Sequence, residues 1–158
     1  MFVAGPLTVN DPVGDAEFGV QTDQCYLERH VEVFQWVETR HQDQKNKTQT
    51  IEYKSQWGKH VDSAHFRDKR YANTKPAYGD KTFTSNSVTL GRVWRLSNLA
   101  WLAHELGTAY YMPNNTKFMY SAGCDVANPK IGDTRTSWKS LQITKTNVLE
   151  TISVLGRF

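Results

Sequence analysis

The feature that most constrains the fold is an alternating run, Cys25–Thr39, in which apolar and charged residues take turns along the chain. A period of two places successive side chains on opposite faces of a β-strand. Arg29 and Gln35 interrupt the apolar set, while Phe34 and Trp36 fall among the charged residues. The sequence therefore predicts one long, half-buried strand whose more polar face is not wholly exposed to solvent.

A second alternating run, Thr50–Trp57, follows a polar tract at 41–47 that contains no apolar residue. Two alternating runs on either side of a polar loop are typical of an antiparallel β-hairpin. We expect this hairpin to span residues 25–57. Its loop carries Asn46, the first residue of an Asn-Lys-Thr glycosylation sequon.

The segments that flank the hairpin predict a sheet. Residues 1–24 are rich in glycine, proline and aspartate, which indicates an extended lead-in with turns. Runs with strand character recur after the hairpin, at Phe83–Leu90, Phe118–Tyr120, Thr134–Ile143 and Thr151–Phe158. We expect residues 25–158 to form a single domain.

Two segments are candidates for short helices. A helical turn around Ser63–Tyr71 would be capped by Asp62 or by Ser63 itself. The second candidate is Asn98–Leu106, which follows the N-cap residue Ser97 and has apolar residues at helical spacing. The predicted fold class is therefore α+β, a mainly antiparallel β-sheet with a long N-terminal hairpin and one or two short helices.

Composition and charge narrow the function classes. A chain of 158 residues with 39% hydrophobic residues suits one globular domain. Its apolar runs fall far short of the ~20 residues needed to cross a bilayer, so we expect neither a spanning segment nor a signal peptide within it. The formal net charge is +3 and the cations are spread out. Because nucleic-acid binding usually needs a dense basic stripe, we expect no nucleic-acid partner.

No catalytic constellation is recognisable in the sequence. His60, Asp62 and His65 are the densest group of metal-ligating residue types, but two histidines five positions apart on a helix face different sides. We therefore expect no enzyme activity, no cofactor and no metal site. Two alternatives stay open: a metal-dependent hydrolase that uses His60, Asp62 and His65, and a small-ligand or lipid-binding module on a tryptophan-rich sheet.

Two further features each allow two interpretations. Cys25 and Cys124 would form one disulfide in an oxidising compartment or remain unrelated thiols in a reducing one. Asp133 is most simply a turn residue that accepts hydrogen bonds from local amides. The alternative is a charge pair between Asp133 and Arg135.

The segment Leu27–Glu38 resembles the most characteristic segment of the LUMA family, transmembrane protein 43 and its relatives. That family shows the pattern R-x-V-E-M-Y-Q-W-V-E here, and this chain differs by Val33 for Met and Phe34 for Tyr. Asn128–Trp138 is similar to a second family block, P-x-[VI]-G-D-x-R-[VI]-S-[FY]. The residues that match family motifs are Arg29, Val31, Glu32, Gln35, Trp36, Glu38, Tyr53, Trp57, Gly91, Gly132, Asp133 and Arg135.

Weaker matches occur in the same order as in the family. Asp15–Val20 resembles its D-P-x-[FY]-G-[VI] lead-in, and Leu90–Ser97 is similar to its I-G-x-F-x-L-S segment. Asn73 and Pro76 roughly fit a G-H-x-N-P stretch, although the Gly-His is replaced and the proline is displaced. The matches together span nearly the whole chain.

The resemblance implies a membrane protein, with one transmembrane helix, a large lumenal domain and further helices near its C-terminus. This chain would be most of the lumenal domain, cut short at its C-terminal end. The implied location is the endoplasmic reticulum and inner nuclear membrane, or the periplasmic side in a bacterium. The implied function is a non-catalytic scaffold that organises membrane-protein partners of the endoplasmic reticulum and nuclear envelope; envelope partners of the family include emerin and lamins. A homo-oligomer is a separate expectation that no sequence pattern specifies.

A lumenal location bears on two kinds of covalent modification, a disulfide and glycosylation. A disulfide between Cys25 and Cys124 becomes plausible. If the source is eukaryotic, Asn46 and Asn114, each the first residue of a sequon, become credible glycan acceptors.

The predicted interaction surface is the hairpin, because Phe34 and Trp36 lie on its charged face. The alternative is that a second layer of the same domain covers those two rings.

Overall fold

The computed structural model describes residues 7–90, 94–95, 108–111 and 117–141. These residues are mostly β-strand. The strands in chain order are β1 (Leu7–Val9), β2 (Gly14–Asp15), β3 (Val20–Gln21), β4 (Tyr26–Gln42), β5 (Gln49–Gly58), β6 (Lys81–Thr84), β7 (Val88–Leu90), β8 (Trp94–Arg95), β9 (Thr108–Tyr110), β10 (Met119–Tyr120) and β11 (Thr134–Leu141). The strand predicted at Thr151–Phe158 and the helix predicted at Asn98–Leu106 lie outside the described residues.

The described residues divide into two compact units. The first unit takes its residues from Met1–Arg29, Asp80–Lys117 and Ser137–Phe158. The second unit takes its residues from His30–Gly79 and Phe118–Thr136. Strands β4 and β11 therefore each contribute residues to both units. The prediction of a single domain over residues 25–158 stays a prediction.

The second unit is built on the predicted hairpin, which is confirmed. Its strand order is β10-β11-β4-β5, and β4 and β5 are antiparallel from Val33 opposite Gly58 to Gln42 opposite Gln49. The hairpin turn is closed by a hydrogen bond from the Asp43 amide to the Thr48 carbonyl at 2.9 Å. The long alternating sequence and its polar loop are the physical reason for this element.

The first unit combines four sets of paired strands. Strands β1, β7 and β8 form a three-stranded sheet, and β2 pairs with β3. The beginning of β4 pairs with β6, and the end of β11 pairs with β9. Its core contains Val20, Leu27 and Trp138, and the Phe18 ring meets the Trp138 ring edge-on with centroids 5.2 Å apart.

The predicted strand Phe83–Leu90 is broken in the structure into β6 and β7. Between them, the Ser85 amide donates to the Cys25 carbonyl at 2.9 Å, and the Ser85 hydroxyl accepts from the Ser87 amide at 3.2 Å. A serine side chain that bonds the backbone two residues later favours a turn over a continuous strand. The interruption is therefore a local serine effect that alternation does not show.

The predicted fold class, α+β, is wrong. Among the described residues there is no α-helix, and the one helical element is a 3-10 turn at Ser63–His65. Asp62 caps it, as predicted, because its carboxylate accepts from the Ala64 amide at 2.9 Å. In the part of the chain that the structure describes, no helix has the length and apolar character needed to cross a bilayer.

The turn does not continue as a helix because the next amides bond to side chains of the hairpin. The Arg67 amide donates to Glu38 Oε2 at 2.6 Å, and the Asp68 amide donates to the Tyr53 hydroxyl at 2.8 Å. A helix would need the Arg67 amide for a bond to the carbonyl four residues earlier. Tertiary contacts therefore override the local helical tendency of this segment.

Candidate functional site

The alternation in β4 produces two faces with different partners. From Leu27 to Gln35 the odd-numbered residues are buried and the even-numbered residues are half-buried. The residues from Thr39 to Thr50, by contrast, are all exposed. We call residues 39–50 the hairpin tip. Most of the family-motif residues lie below the tip, where the sheet is covered.

The rings of Phe34 and Trp36 are both half-buried within the second unit. The Phe34 ring meets the Trp57 ring edge-on at 5.4 Å, and the Trp36 ring meets the Tyr71 ring edge-on at 4.9 Å. Edge-on aromatic pairs of this geometry are a normal form of core packing. The structure therefore favours the alternative in which the same domain covers these rings.

Asn73 binds the main chain of β4 and thereby holds in place the segment that contains Tyr71. Its side-chain oxygen accepts from the Trp36 amide at 2.8 Å, and its side-chain nitrogen donates to the Trp36 carbonyl at 2.8 Å. The Asn73 amide in turn donates to the Ser63 hydroxyl at 2.9 Å. The asparagine thus takes the place of a neighbouring strand at this position, which explains an asparagine in the family-like stretch.

Gln35 also joins another segment to β4. Its side chain lies on the face of β4 opposite to the Trp36 ring. The side chain is 1% exposed, its nitrogen donates to the Lys59 carbonyl at 2.6 Å, and its oxygen accepts from the Val61 amide at 2.8 Å. A buried amide is tolerated when its polar atoms are bonded in this way. Gln35, which interrupts the apolar pattern of β4, therefore holds residues 59–61, which follow β5, in place.

Glu38 collects three hydrogen bonds on the covered side of the hairpin. It accepts from the Tyr53 hydroxyl, the Arg67 amide and Arg40 Nε, each at 2.6 Å. The hydrogen bond from Tyr53 is the largest cause that lowers the pKa of Glu38 to about 2, followed by the bond from the Arg67 amide. Hydrogen bonds to a carboxylate favour its ionised form. Glu38 therefore stays ionised as an organising centre for this layer.

The guanidinium group of Arg135 packs against two aromatic rings. Its guanidinium carbon is 4.2 Å from the Phe118 ring centroid and 4.8 Å from the Trp57 ring centroid, and Nε donates to the Glu32 carboxylate. A planar guanidinium combines stacking on rings with directed hydrogen bonds, which an ammonium cannot do. This one contact between β4, β5 and β11 within the second unit explains three family-motif positions: Glu32, Trp57 and Arg135.

Asp133 is a turn residue, as its simpler interpretation predicts. Its carboxylate accepts from the Lys130 amide at 2.8 Å, and Arg135 pairs with Glu32 instead. Gly132 has a φ of 99°, a backbone conformation that favours glycine, and its amide donates to the Phe34 carbonyl at 2.9 Å. The Gly-Asp pair therefore joins this turn to β4.

A buried charge network organises the first unit. Arg29, 4% exposed, donates through Nη1 to both carboxylate oxygens of Asp15 at 3.0 and 2.9 Å, and the same nitrogen bonds Glu17. Trp138 Nε1 also donates to Asp15 at 3.0 Å. Sequence reasoning treated Arg29 as an interruption and did not single out Asp15 and Trp138. Their positions inside the two outer family-like blocks are the signal that points to them.

The residues of the hydrolase alternative do not assemble into a metal site. The Asp62 carboxylate caps the 3-10 turn, and within the described ranges no group of three or more His, Cys, Asp or Glu residues is placed to hold a metal ion. The Nδ1 atom of His60 is buried and has no hydrogen-bond partner. Nothing in this arrangement supports metal-assisted hydrolysis.

Both cysteines are free thiols in the structure, Cys25 buried and Cys124 half-buried. Burial raises the pKa of the Cys25 thiol. Desolvation and a hydrogen bond with Asp133 raise the pKa of the Cys124 thiol. A raised pKa lowers the fraction of reactive thiolate. The disulfide between these residues stays a prediction.

The predicted modification and motif positions are distributed between described and other residues. Asn46 is exposed in the hairpin tip, and its side-chain nitrogen donates to Asp43 at 3.2 Å. Asn114 and Gly91 lie outside the described residues. Glycosylation at either asparagine stays a prediction.

These features describe two antiparallel β-units, in each of which motif residues hold neighbouring strands together. The comparisons with known proteins assign the chain to a class of membrane-associated proteins: the family model described as Transmembrane protein 43 matches residues 33–157. The chain belongs to the transmembrane protein 43 family, which confirms the resemblance to LUMA proteins.

One relative is Transmembrane protein 43 of Pongo abelii, which is 28% identical over 106 residues. That alignment covers 61% of this chain and 26% of the relative, so the chain matches about a quarter of the relative's length. No solved structure matches the chain.

Proposed function

We propose that this chain is a non-catalytic interaction domain of a membrane-associated scaffold. In this proposal the domain lies on the lumenal side of the endoplasmic reticulum and inner nuclear membrane and organises membrane-protein partners. Family membership supports the membrane association. The partners and the location come from the family resemblance, and the domain's geometry supplies the contact surface.

The observation that carries the proposal is the hairpin tip. Strands β4 and β5 keep an unbroken register from Glu38 opposite Tyr53 out to Gln42 opposite Gln49, although every residue from Thr39 to Thr50 is exposed. Ordering a chain segment costs conformational entropy, and here no residue of the segment is buried in the described chain to offset that cost. An ordered, exposed projection of this kind is suited to contact another molecule.

This placement refines the prediction that Phe34 and Trp36 form the surface. Both rings pack against rings of the same unit, so they support the base of the hairpin. The tip offers polar and charged groups instead, including Gln44, Lys45 and Lys47. Polar rims with a few long side chains are common in non-obligate interfaces.

The test shortens the tip in the full-length protein. Residues 42–49 are replaced by Asn-Gly, a two-residue turn that fits the hydrogen-bonded pair His41 and Thr50. We expect recovery of emerin by co-immunoprecipitation to fall roughly tenfold, as the loss of about 1.4 kcal/mol of binding free energy produces. The matched control is Val126→Ala, at an exposed position of the same unit.

Two readouts keep the test decisive. Circular dichroism and the urea midpoint should match the wild type, since residues 42–49 are all exposed and Arg40, which bonds Glu38 and the His65 carbonyl, is retained. If the shortened protein is folded and recovers as much emerin as the wild type, the tip is not the contact surface. Equal loss in the Val126→Ala control would show that the assay reports something other than the tip.

A further inference from the structure

Strand β5 is the outer strand of the sheet in the second unit. The strand order there ends at β5, and β5 has backbone pairing with β4 on one side. Among the described residues, no other backbone or side-chain group bonds the β5 main chain. A strand of ten residues with one unpaired edge is a template for addition of another strand.

The register shows which β5 groups face outward. The Phe34 and Trp36 main chains bond Gly132, Asp133 and Asn73, on the side of β4 that lies away from β5. In an antiparallel ladder the direction of the main-chain groups alternates along each strand. The odd-numbered residues of β4 therefore bond β5, and the residues opposite the even-numbered ones point their N–H and C=O groups outward. These outward-facing β5 residues include Ile51, Tyr53 and Ser55.

The exposed face of β5 carries two opposite charges beside the outermost groups. Glu52 and Lys54 have side chains that are 46% and 68% exposed, and they pair with each other at 3.2 Å within the chain. The strand contains no proline, and its register with β4 has no bulge. Natural proteins commonly block sheet edges with proline, with bulges or with charged side chains, above all lysine. The β5 edge has neither proline nor bulge, and its one lysine stands beside a glutamate of opposite charge.

We propose that two copies of this chain associate by antiparallel pairing of β5 with β5 of the second copy. The two-fold axis would pass beside Tyr53, whose outward N–H and C=O groups bond those of its counterpart. In this register Glu52 of each copy lies opposite Lys54 of the other. These two pairs are non-hydrogen-bonded positions, where opposite side chains are closest.

The charges select this register among the alternatives. Directly opposite residues in an antiparallel sheet share a face, so the axis must pass beside a residue and not between residues. An axis at Glu52 would place two glutamates opposite each other, and an axis at Lys54 would place two lysines opposite each other. Like charges in opposed positions destabilise a strand pair, and opposite charges stabilise it. An axis at Tyr53 gives two favourable pairs.

This pairing is centred on Tyr53 of the β5 edge, and its charge pairs involve none of the residues 42–49 that the shortened tip replaces. It can therefore hold or fail independently of the proposed function, and the tip-shortening variant retains both Glu52 and Lys54. The expected product is one sheet that continues from one copy to the next.

The first test reverses charges at exposed positions. In sedimentation equilibrium of the full-length protein, Lys54→Glu alone and Glu52→Lys alone should each weaken self-association roughly tenfold or more, because two attractive pairs become repulsive. The double variant Glu52→Lys/Lys54→Glu should restore it, and so should a mixture of the two single variants. Self-association that ignores all four combinations, or a monomeric wild type, would overturn the proposal.

The second test reads the register directly. With the axis at Tyr53, Thr50 of one copy lies opposite Gln56 of the other, and both residues are exposed. In a Cys124→Ser background, Thr50→Cys mixed with Gln56→Cys should form a disulfide-linked dimer on mild oxidation, since Cα atoms at such positions are about 4.5 Å apart. Neither variant alone should cross-link. Equal cross-linking in the single-variant samples, or none in the mixture, would contradict this register.

Discussion

At the residue scale, the side chains that break the alternation in β4 are the ones that organise the structure. Gln35 interrupts the apolar set, yet it is buried and holds Lys59 and Val61 in place. Its role could not be predicted from sequence because its partners follow it by 24 and 26 positions. The strand itself was predictable, because alternation is local information.

Gln35→Leu tests the buried amide. The change keeps the approximate size of the side chain and leaves the Val61 amide and the Lys59 carbonyl without their partner. We expect the free energy of unfolding to fall by about 2 kcal/mol, measured by urea denaturation. The control is Gln56→Leu, since Gln56 is the exposed β5 residue directly opposite Gln35. A loss of equal size in both variants would show that the buried bonds contribute nothing specific.

Glu38 makes stability depend on pH. Its pKa is about 2 in the folded chain and near 4.3 when unfolded, so its contribution is complete above the unfolded value and is lost as pH falls through the folded value. Between about pH 5 and pH 2 the unfolding free energy of the wild type should therefore fall more steeply than that of Glu38→Gln. Glu52→Gln is the control at an exposed position. Parallel pH profiles for wild type and Glu38→Gln would contradict the assignment.

At the element scale, the strands follow local pattern and the helix does not. The hairpin is found where two alternating runs surround a polar loop. The segment after it has a good cap in Asp62 but forms only a 3-10 turn, since the Arg67 and Asp68 amides bond Glu38 and Tyr53. Sequence pattern contains no information about those distant acceptors, which is why the α+β prediction failed.

Arg135 links three strands through its planar side chain. Arg135→Lys keeps the positive charge near Glu32 and removes the contacts that the guanidinium makes with the Trp57 ring and with the Phe118 ring. We expect the free energy of unfolding to fall by about 1 kcal/mol. The measurement is urea denaturation monitored by tryptophan fluorescence. Lys130→Arg is the control, because the Lys130 side chain is exposed in the neighbouring turn. Full stability of Arg135→Lys would show that charge alone explains this position.

At the scale of the whole molecule, the family-like blocks explain each unit by itself. In the first unit they bring Asp15, Arg29 and Trp138 into one buried network. In the second unit they bring Glu32, Trp57 and Arg135 together. The resemblance identified these positions from sequence, but their pairings required the fold.

Asp15→Asn should destabilise the first unit strongly. The change leaves the buried Arg29 guanidinium with one acidic partner, Glu17, whose side chain is half exposed. Removing one partner of a buried ion pair typically costs about 3–5 kcal/mol in the free energy of unfolding. Asp23→Asn, at an exposed position, is the matched control. A loss no larger than that of the control would mean that the network does not stabilise the fold.

The hairpin tip connects this architecture to the proposed interaction function. Residues at the base of the hairpin pack within the second unit, and the tip is ordered but exposed. The most direct measurement is the recovery of emerin with full-length protein in which residues 42–49 are replaced by Asn-Gly. We expect a roughly tenfold loss of recovery with unchanged urea stability. Recovery equal to that of the wild type from a folded variant would contradict it.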